Sequence, residues 1–216
     1  MSSSQEPDTS LRERLIDAGV ELVLTEGTAA LGLREIARRA GVSHGAPRRY
    51  FPTHHSLLSA IARRGFADLG ARVAATTDTG EGATPRARLD ALARTYVGYA
   101  LERRGMFELM FRHDLLDSEK NAPGGGGSRL RESTLPMFGL FAGLVAHCRT
   151  DEDTPPDVAA AALWANLHGI AQLWTSESLP LVLGAPAAGS GGPGLPTPLD
   201  ALVTAALDAH LGPVNP

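Results

Sequence analysis

The sequence is short of several things at once. It holds one cysteine (Cys148), one lysine, and no apolar run near the ~18 uninterrupted residues that a membrane span needs. A lone cysteine has no internal disulfide partner, and no charged-then-apolar N-terminal stretch resembles a signal peptide. The expected setting is therefore a reducing cytoplasm, with no membrane partner. Sustained alternation of apolar and polar residues is missing too, which leaves no strand and makes the class all-α. Gly124 to Gly127 lack a following Lys-Ser/Thr pair and a preceding strand, so they form no phosphate loop. His44, His54 and His55 have no cysteine nearby, and the adjacent rings of His54 and His55 diverge on a helix, so no metal is expected. His147 and Cys148 diverge by about 100° for the same reason and make no nucleophile and base pair. No cofactor is implied, and an enzyme reading has no chemistry behind it.

What is present is enough apolar material, 43% of residues, to bury a sizeable core without metal or disulfide help. The net charge of −4 conceals an uneven distribution. Between Arg34 and Arg64 stand Arg34, Arg38, Arg39, Arg48, Arg49, Arg63 and Arg64 against Glu35 alone, a local +6 that leaves −10 elsewhere. Taken alone, such a run reads as a solvated face. Placed on a motif, it reads as a face for an anion.

Residues 1–9 are polar and read as a disordered tail. Ser10-Leu11-Arg12-Glu13 has the form of a capping box opening a helix with Leu11, Leu15, Ala18 and Leu22 on one face, closed by Gly27 in the C′ position. Leu33, Ile36, Ala37 and Ala40 make a short second helix, stopped at Gly41, and a third runs from Ser43 to Tyr50. Phe51-Pro52-Thr53 breaks it, and Thr53 is placed to cap a fourth helix carrying Leu57, Leu58, Ile61, Phe66, Leu69 and Val73. This gives a helix-turn-helix domain over 10–53, a connecting helix over 54–77 and a C-terminal domain over 84–216. In the last, a helix with Leu89, Leu92, Ala93, Tyr96, Val97 and Ala100 is followed by a break or kink at Gly105 and an apolar segment from Met106 to Leu115. Mobile loops are expected at 118–128 and 184–198, with helices over roughly 130–149, 156–178 and 199–211, about nine in all.

Two short helices joined by a glycine-containing turn can lay the second across the ~12 Å major groove. Ala37 is small where the helices cross, Gly41 accommodates the turn, Val42 plugs it from beneath, and Ser43 is placed to cap the following helix with its free amides towards phosphate. Arg48 and Arg49, with His44 and Tyr50 beside them, suit base edges or phosphate oxygens, and the sequence does not say which. His54 and His55 begin the fourth helix, where a phosphate contact is physically reasonable. The candidate DNA-binding set is Arg34, Ser43, His44, Gly45, Arg48, Arg49, Tyr50, His54 and His55.

The run Leu33-Arg34-Glu35-Ile36-Ala37-Arg38-Arg39-Ala40-Gly41-Val42-Ser43-His44-Gly45, with Tyr50-Phe51-Pro52, resembles the N-terminal signature of the TetR family of transcriptional regulators across roughly residues 10–75. Trp164-Ala165-Asn166-Leu167-His168-Gly169 is similar to a shorter Trp…His-Gly element of one C-terminal subgroup. The resemblance implies a helical homodimer that binds a double-stranded DNA operator through three N-terminal helices and holds a small-molecule effector in a variable C-terminal domain. Three positions depart from the family pattern. Gly32 replaces a common Thr at the second helix, a cap weaker by a few tenths of a kcal/mol. Arg48 stands where Tyr is frequent, which steepens the expected salt dependence. Pro47 lies in the recognition helix, where it costs little if the helix starts near Gly45 and distorts the helix otherwise.

Eight of the eleven aromatic residues lie between Tyr96 and Trp174, and helices rich in Phe and Met can wrap a cavity. Phe107, Met110, Phe111, Met137, Phe138, Phe141, Trp164, His168 and Gln172 are the candidate lining, with the last three spaced one turn apart on one face. A plain helical core is the alternative for each. The Ala- and Leu-rich helices near 156–178 and 199–211 are candidates for a four-helix dimer interface, with an intramolecular core as the alternative. The reading is a ligand-responsive dimeric repressor, and its rival is a constitutive DNA-binding or interaction protein.

Overall fold

The computed structural model describes residues 6–77, 82–116, 130–149, 153–185, 195 and 197–213. Residues 1–5 of the expected tail, the expected loop at 118–128 and most of that at 184–198 lie outside the described residues. The described chain forms ten α-helices: α1 (Glu6–Glu26), α2 (Leu33–Arg39), α3 (Pro47–Tyr50), α4 (His54–Thr77), α5 (Pro85–Glu102), α6 (Arg104–Phe111), α7 (Leu130–Cys148), α8 (Pro156–Thr175), α9 (Ser178–Leu183) and α10 (Thr197–Leu211). A 3-10 turn at Thr28–Ala30 follows α1, and no strand occurs among the described residues.

Two local expectations change. α1 begins at Glu6 rather than at Ser10, because Pro7 falls in the first turn, where its missing N–H removes only a donor that has no intrahelical partner anyway. The expected helix over 156–178 ends at Thr175, and Glu177, at φ 64, turns the chain into the separate α9. A six-residue helix containing Pro180 reads locally as a breaker, yet Pro180 lies in its first turn and is tolerated there.

Packing divides the chain into two compact units. The first comprises residues 1–68 and 103–134, and the second 69–102 and 135–216. In the first, Leu15, Leu22, Ile36, Leu57 and Ile61 are buried, and α6 adds Met106, Phe107, Leu109 and Met110. Sequence periodicity places α6 in the C-terminal domain, whereas it docks on α1. The docking depends on glycine. A Cβ at Gly105 would run into the backbone carbonyl of Val23 and lie 3.2 Å from Gly27 Cα, and one at Gly19 would overlap Ile61 Cδ1. Gly105 is thus not the break between α5 and α6, which lies at Arg103, but the place where two backbones meet. Thr28 Oγ1 donates to Glu108 at 3.0 Å and fastens the 3-10 turn to α6.

In the second unit α8 packs against α5, α9 and α10. Leu89, Ala93 and Val97 of α5 meet a core supplied by Leu163, Leu167 and Trp174 of α8 and Leu199, Val203 and Leu207 of α10. Arg94 of α5 ties Asp90 at 2.8 Å and also Asp200 of α10, and Arg86 ties Asp208 at 2.5 Å. Phe141 and Val145 of α7 are buried in the same unit.

Candidate nucleic-acid interface and effector site

The turn after α2 closes with two backbone bonds. Val42 N–H donates to Ala37 O at 3.0 Å and Gly41 N–H to Arg38 O at 3.1 Å, with Gly41 at φ 67. This is the 6→1 and 5→2 pattern in which a left-handed residue satisfies the last carbonyls of a helix, and glycine adopts that conformation without a Cβ penalty. Arg14 Nη2 donates to Ala40 O at 2.6 Å, pinning the same turn from α1.

The chain then turns at Ser43, whose carbonyl accepts Ala46 N–H at 3.0 Å, and α3 starts at Pro47. Pro47 is buried and occupies the first turn, so the helix is not distorted and no ladder bond is lost. The expected Ser43 cap is not formed: the residue flanking α3 is Ala46, and no side chain caps the helix. Thr53 does cap α4, its Oγ1 accepting Ser56 N–H at 3.0 Å while Ser56 Oγ accepts Thr53 N–H at 3.2 Å. The cap at Gly32 is made without a side chain.

This geometry sorts the arginines. Arg38 forks onto Glu35 at 2.5 and 2.9 Å, and the guanidinium holds that carboxyl below its ordinary value. Arg39 bridges Glu21 at 2.8 Å and Glu26 at 2.5 Å of α1, Arg64 pairs with Glu13, and Arg12 lies 5.3 Å above the Phe51 ring. Arg34, Arg48 and Arg49 are exposed and form no ion pair among the described residues. Ser43, His44 and Gly45 are exposed beside them, and Tyr50 and His55 are half-buried. His54 donates its Nε2 proton to Leu31 O at 2.6 Å, so one of its nitrogens is committed to holding α4 against the segment before α2. Of the arginines between Arg34 and Arg64, Arg34, Arg48 and Arg49, which stand exposed with no ion pair among the described residues, lie on α3 and at the start of α2, a narrower set than the sequence count implies.

The nine candidate effector residues divide between the units. Phe107, Met110 and Phe111 belong to the first, where Phe111 meets Phe66 edge-on at 5.8 Å and Phe107 at 5.0 Å. Met137, Phe138, Phe141, Trp164, His168 and Gln172 belong to the second. There Phe138 meets Trp164 at 6.3 Å and Phe141 at 6.4 Å, and Trp164 meets His168 at 5.8 Å. Met137, Phe138, His168 and Gln172 are half-buried, Phe141 is buried, and Trp164 is 37% exposed.

Sequence reasoning passed over Tyr96 as one more apolar position on α5. Its oxygen accepts Trp164 Nε1–H at 3.2 Å and lies 2.8 Å from His168 Nδ1. Burial pushes the phenol far above its ordinary pKa and His168 below its own, so both are neutral at neutral pH. The phenol keeps its proton, and which of the two groups donates in the Tyr96–His168 bond is set by the imidazole tautomer. A signal was present: a tyrosine on the buried face of a helix needs a partner for its hydroxyl.

Comparison with known proteins agrees with this geometry. A family model described as tetracycline repressor-like, C-terminal domain, matches residues 89–209, and one described as bacterial regulatory proteins, tetR family, matches residues 15–61. The chain belongs to the TetR family. That makes it one of a family of non-enzymatic, DNA-binding transcriptional regulators, and the second match falls on the helix-turn-helix. A solved structure of a protein of unknown function from Rhodococcus sp. RHA1 is 32% identical, with a TM-score of 0.68, and the similarity covers 93% of each chain. The TetR family regulator PfmR from Thermus thermophilus shares the fold at 17% identity, with a TM-score of 0.58, over 94% of this chain and all of that one. Among curated relatives, the regulator BetI of Rhizobium meliloti (strain 1021) is 39% identical over 83 residues, 38% of this chain and 40% of BetI. An uncharacterised regulator of Xanthobacter autotrophicus is 33% identical over 107 residues, so the chain spans about half the length or less of the curated relatives it matches. Among the described residues, no helix is long and apolar enough to cross a membrane.

Proposed function

We propose that this TetR-family chain is a ligand-responsive dimeric repressor, released from a pseudo-palindromic operator when a small apolar or aromatic effector enters the second unit. One observation carries the DNA half of the reading: Arg48 and Arg49 are exposed on a short helix with no ion pair among the described residues, while Arg38, Arg39 and Arg64 are engaged with carboxylates. Arg34, Ser43, His44, Gly45 and Tyr50 then border the groove, and His55 supports the backbone side. His54 serves chiefly to position α4.

Dimerisation follows from the weakness of a single half-site contact, since a dimer presents two recognition helices ~34–36 Å apart. α8 exposes Ala161, Ala162 and Ala165 and α10 exposes Ala201, Ala205 and Ala209, faces able to pack closely against a second copy. Val158 and Leu173, 53% and 49% exposed, extend the apolar surface of α8. The effector requires no large energy. A coupling of about 1–3 kcal/mol weakens DNA binding roughly 5- to 150-fold. In this reading α4, a continuous helix that contains one of the boundaries between the units, at Asp68 and Leu69, carries the change from the second unit to the first.

The experiment is a gel shift with operator DNA chosen by selection from random duplexes, repeated across a panel of small aromatic compounds. The proposal expects a palindromic site and at least one compound that releases it. Operator binding that no compound alters would sink the ligand-responsive part.

A further inference from the structure

We infer that the operator is selected through a guanine in each half-site, read in the major groove by Arg49, while the neighbouring Arg48 takes a phosphate at the edge of the groove. This rests on the reading of the chain as an operator-binding regulator and deepens it to the base recognised.

The geometry of α3 separates the two arginines. Pro47 is buried and marks the inward side of the helix. Arg49 N–H donates to Ala46 O at 3.1 Å and Phe51 N–H to Pro47 O at 2.8 Å, which keeps the segment in a helical turn. Successive side chains there step round by about 100°. Arg49, two residues after Pro47, is therefore turned about 200° from the inward side, almost straight out, and Arg48 and Tyr50 lie on the flanks. Exposure agrees, since both arginines are exposed and Tyr50 is half-buried. A recognition helix turns its outer face to the base edges, and side chains on its flanks reach the phosphates.

The side chains at hand then select the base. In the major groove an arginine fork matches guanine O6 and N7, an asparagine or glutamine amide matches adenine N6 and N7, a carboxylate accepts from cytosine N4, and a serine hydroxyl suits any of them. No asparagine or glutamine stands between Gln5 and Asn121, so the helix-turn-helix carries no amide for adenine. Glu35 is the carboxylate nearest α3 in sequence, and Arg38 holds both of its oxygens, at 2.5 and 2.9 Å, which withholds it from cytosine. A two-pronged contact with guanine also needs a fork that is not engaged elsewhere. The arms of Arg39 are on Glu21 and Glu26, whereas Arg49 forms no ion pair among the described residues.

The test selects bound sequences from a random duplex library with the full chain and then measures affinities by fluorescence anisotropy. The expected consensus is a palindrome with guanine at one fixed position in each half. Replacing that base with 7-deazaguanine, which keeps the pairing and O6 but lacks N7, should weaken the parent about tenfold and Arg49→Ala hardly at all. Arg49→Gln, put through the same selection, should exchange the guanine for adenine, a gain that a misfolded variant cannot give. Arg48→Ala should weaken all sequences alike and leave the consensus unchanged. Half-sites without guanine, a parent indifferent to 7-deazaguanine, or a guanine preference that survives Arg49→Ala would each overturn the proposal. Failure of the underlying reading looks different: no enriched sequence would sink operator binding and guanine recognition together, whereas a palindrome of A·T pairs would support operator binding and overturn guanine recognition alone.

Discussion

Replacing Gly105 with alanine tests the packing of the DNA-binding unit at its tightest point. Two effects oppose each other. Alanine is favoured over glycine inside a helix by about 1 kcal/mol. Against that, the new Cβ would run into the carbonyl of Val23, and backbone cannot yield as a side chain can. Overpacking costs typically ~1–3 kcal/mol, and an unyielding neighbour puts Gly105→Ala at the upper end, so the net loss is about 2 kcal/mol. Gly65→Ala is the matched case with a softer neighbour. Its Cβ would come 2.7 Å from Met106 Cγ and Sδ and 2.8 Å from Met110 Sδ, ends of flexible chains that can rotate away, so the two effects should nearly cancel. Gly143→Ala, on α7 with nothing within 4 Å, should gain up to ~1 kcal/mol. Urea denaturation followed by circular dichroism at fixed protomer concentration ranks the three variants. A Gly105→Ala protein as stable as the parent would refute the close approach of α6 to α1.

Three further outcomes follow from the local chemistry. His168 has its pKa lowered by burial, so its contribution is complete above its unfolded value of about 6.5 and is lost as pH falls through the lowered folded value. Melts between pH 8 and pH 5 should show a steeper fall for the parent than for His168→Gln, and parallel curves would contradict the burial. Thr53→Ala removes the Oγ1 acceptor at the start of α4 and should cost about 1 kcal/mol, whereas Thr53→Ser should cost little. Arg38→Ala, which removes a partner of Glu35, should change the salt dependence of DNA binding less than Arg49→Ala does, as read by fluorescence anisotropy.

The helix-turn-helix was legible because its punctuation is local. Gly41 must adopt positive φ, Thr53 caps within three residues, and Pro47 is harmless only in a first turn, all consequences of neighbouring residues. Ser43 was misjudged by the same local logic, because the start of α3 was set by Pro47 three residues later than a Ser43 cap requires. Periodicity tells which face of α6 is apolar but not what covers it: the candidate lining residues Phe107 and Met110 are buried in the first unit, behind a glycine whose role depends on distant Val23. The arginine count overstated the free charge for a similar reason, since Glu13, Glu21 and Glu26 on α1 are far from their partners in sequence. Trp164 and His168 were paired correctly from their one-turn spacing, while Tyr96, which joins them, came from another helix and left no spacing to read.

The central claim, that α3 delivers Arg48 and Arg49 to an operator, is tested most directly by selecting bound sequences from a random duplex library. Binding is then measured across salt concentrations for the parent and the double variant Arg48→Ala, Arg49→Ala. The account expects a palindromic consensus and, in the variant, a log–log salt slope shallower by about 0.9 for each phosphate that an arginine no longer neutralises. No enriched sequence at any salt concentration, or a variant with unchanged affinity and slope, would contradict it.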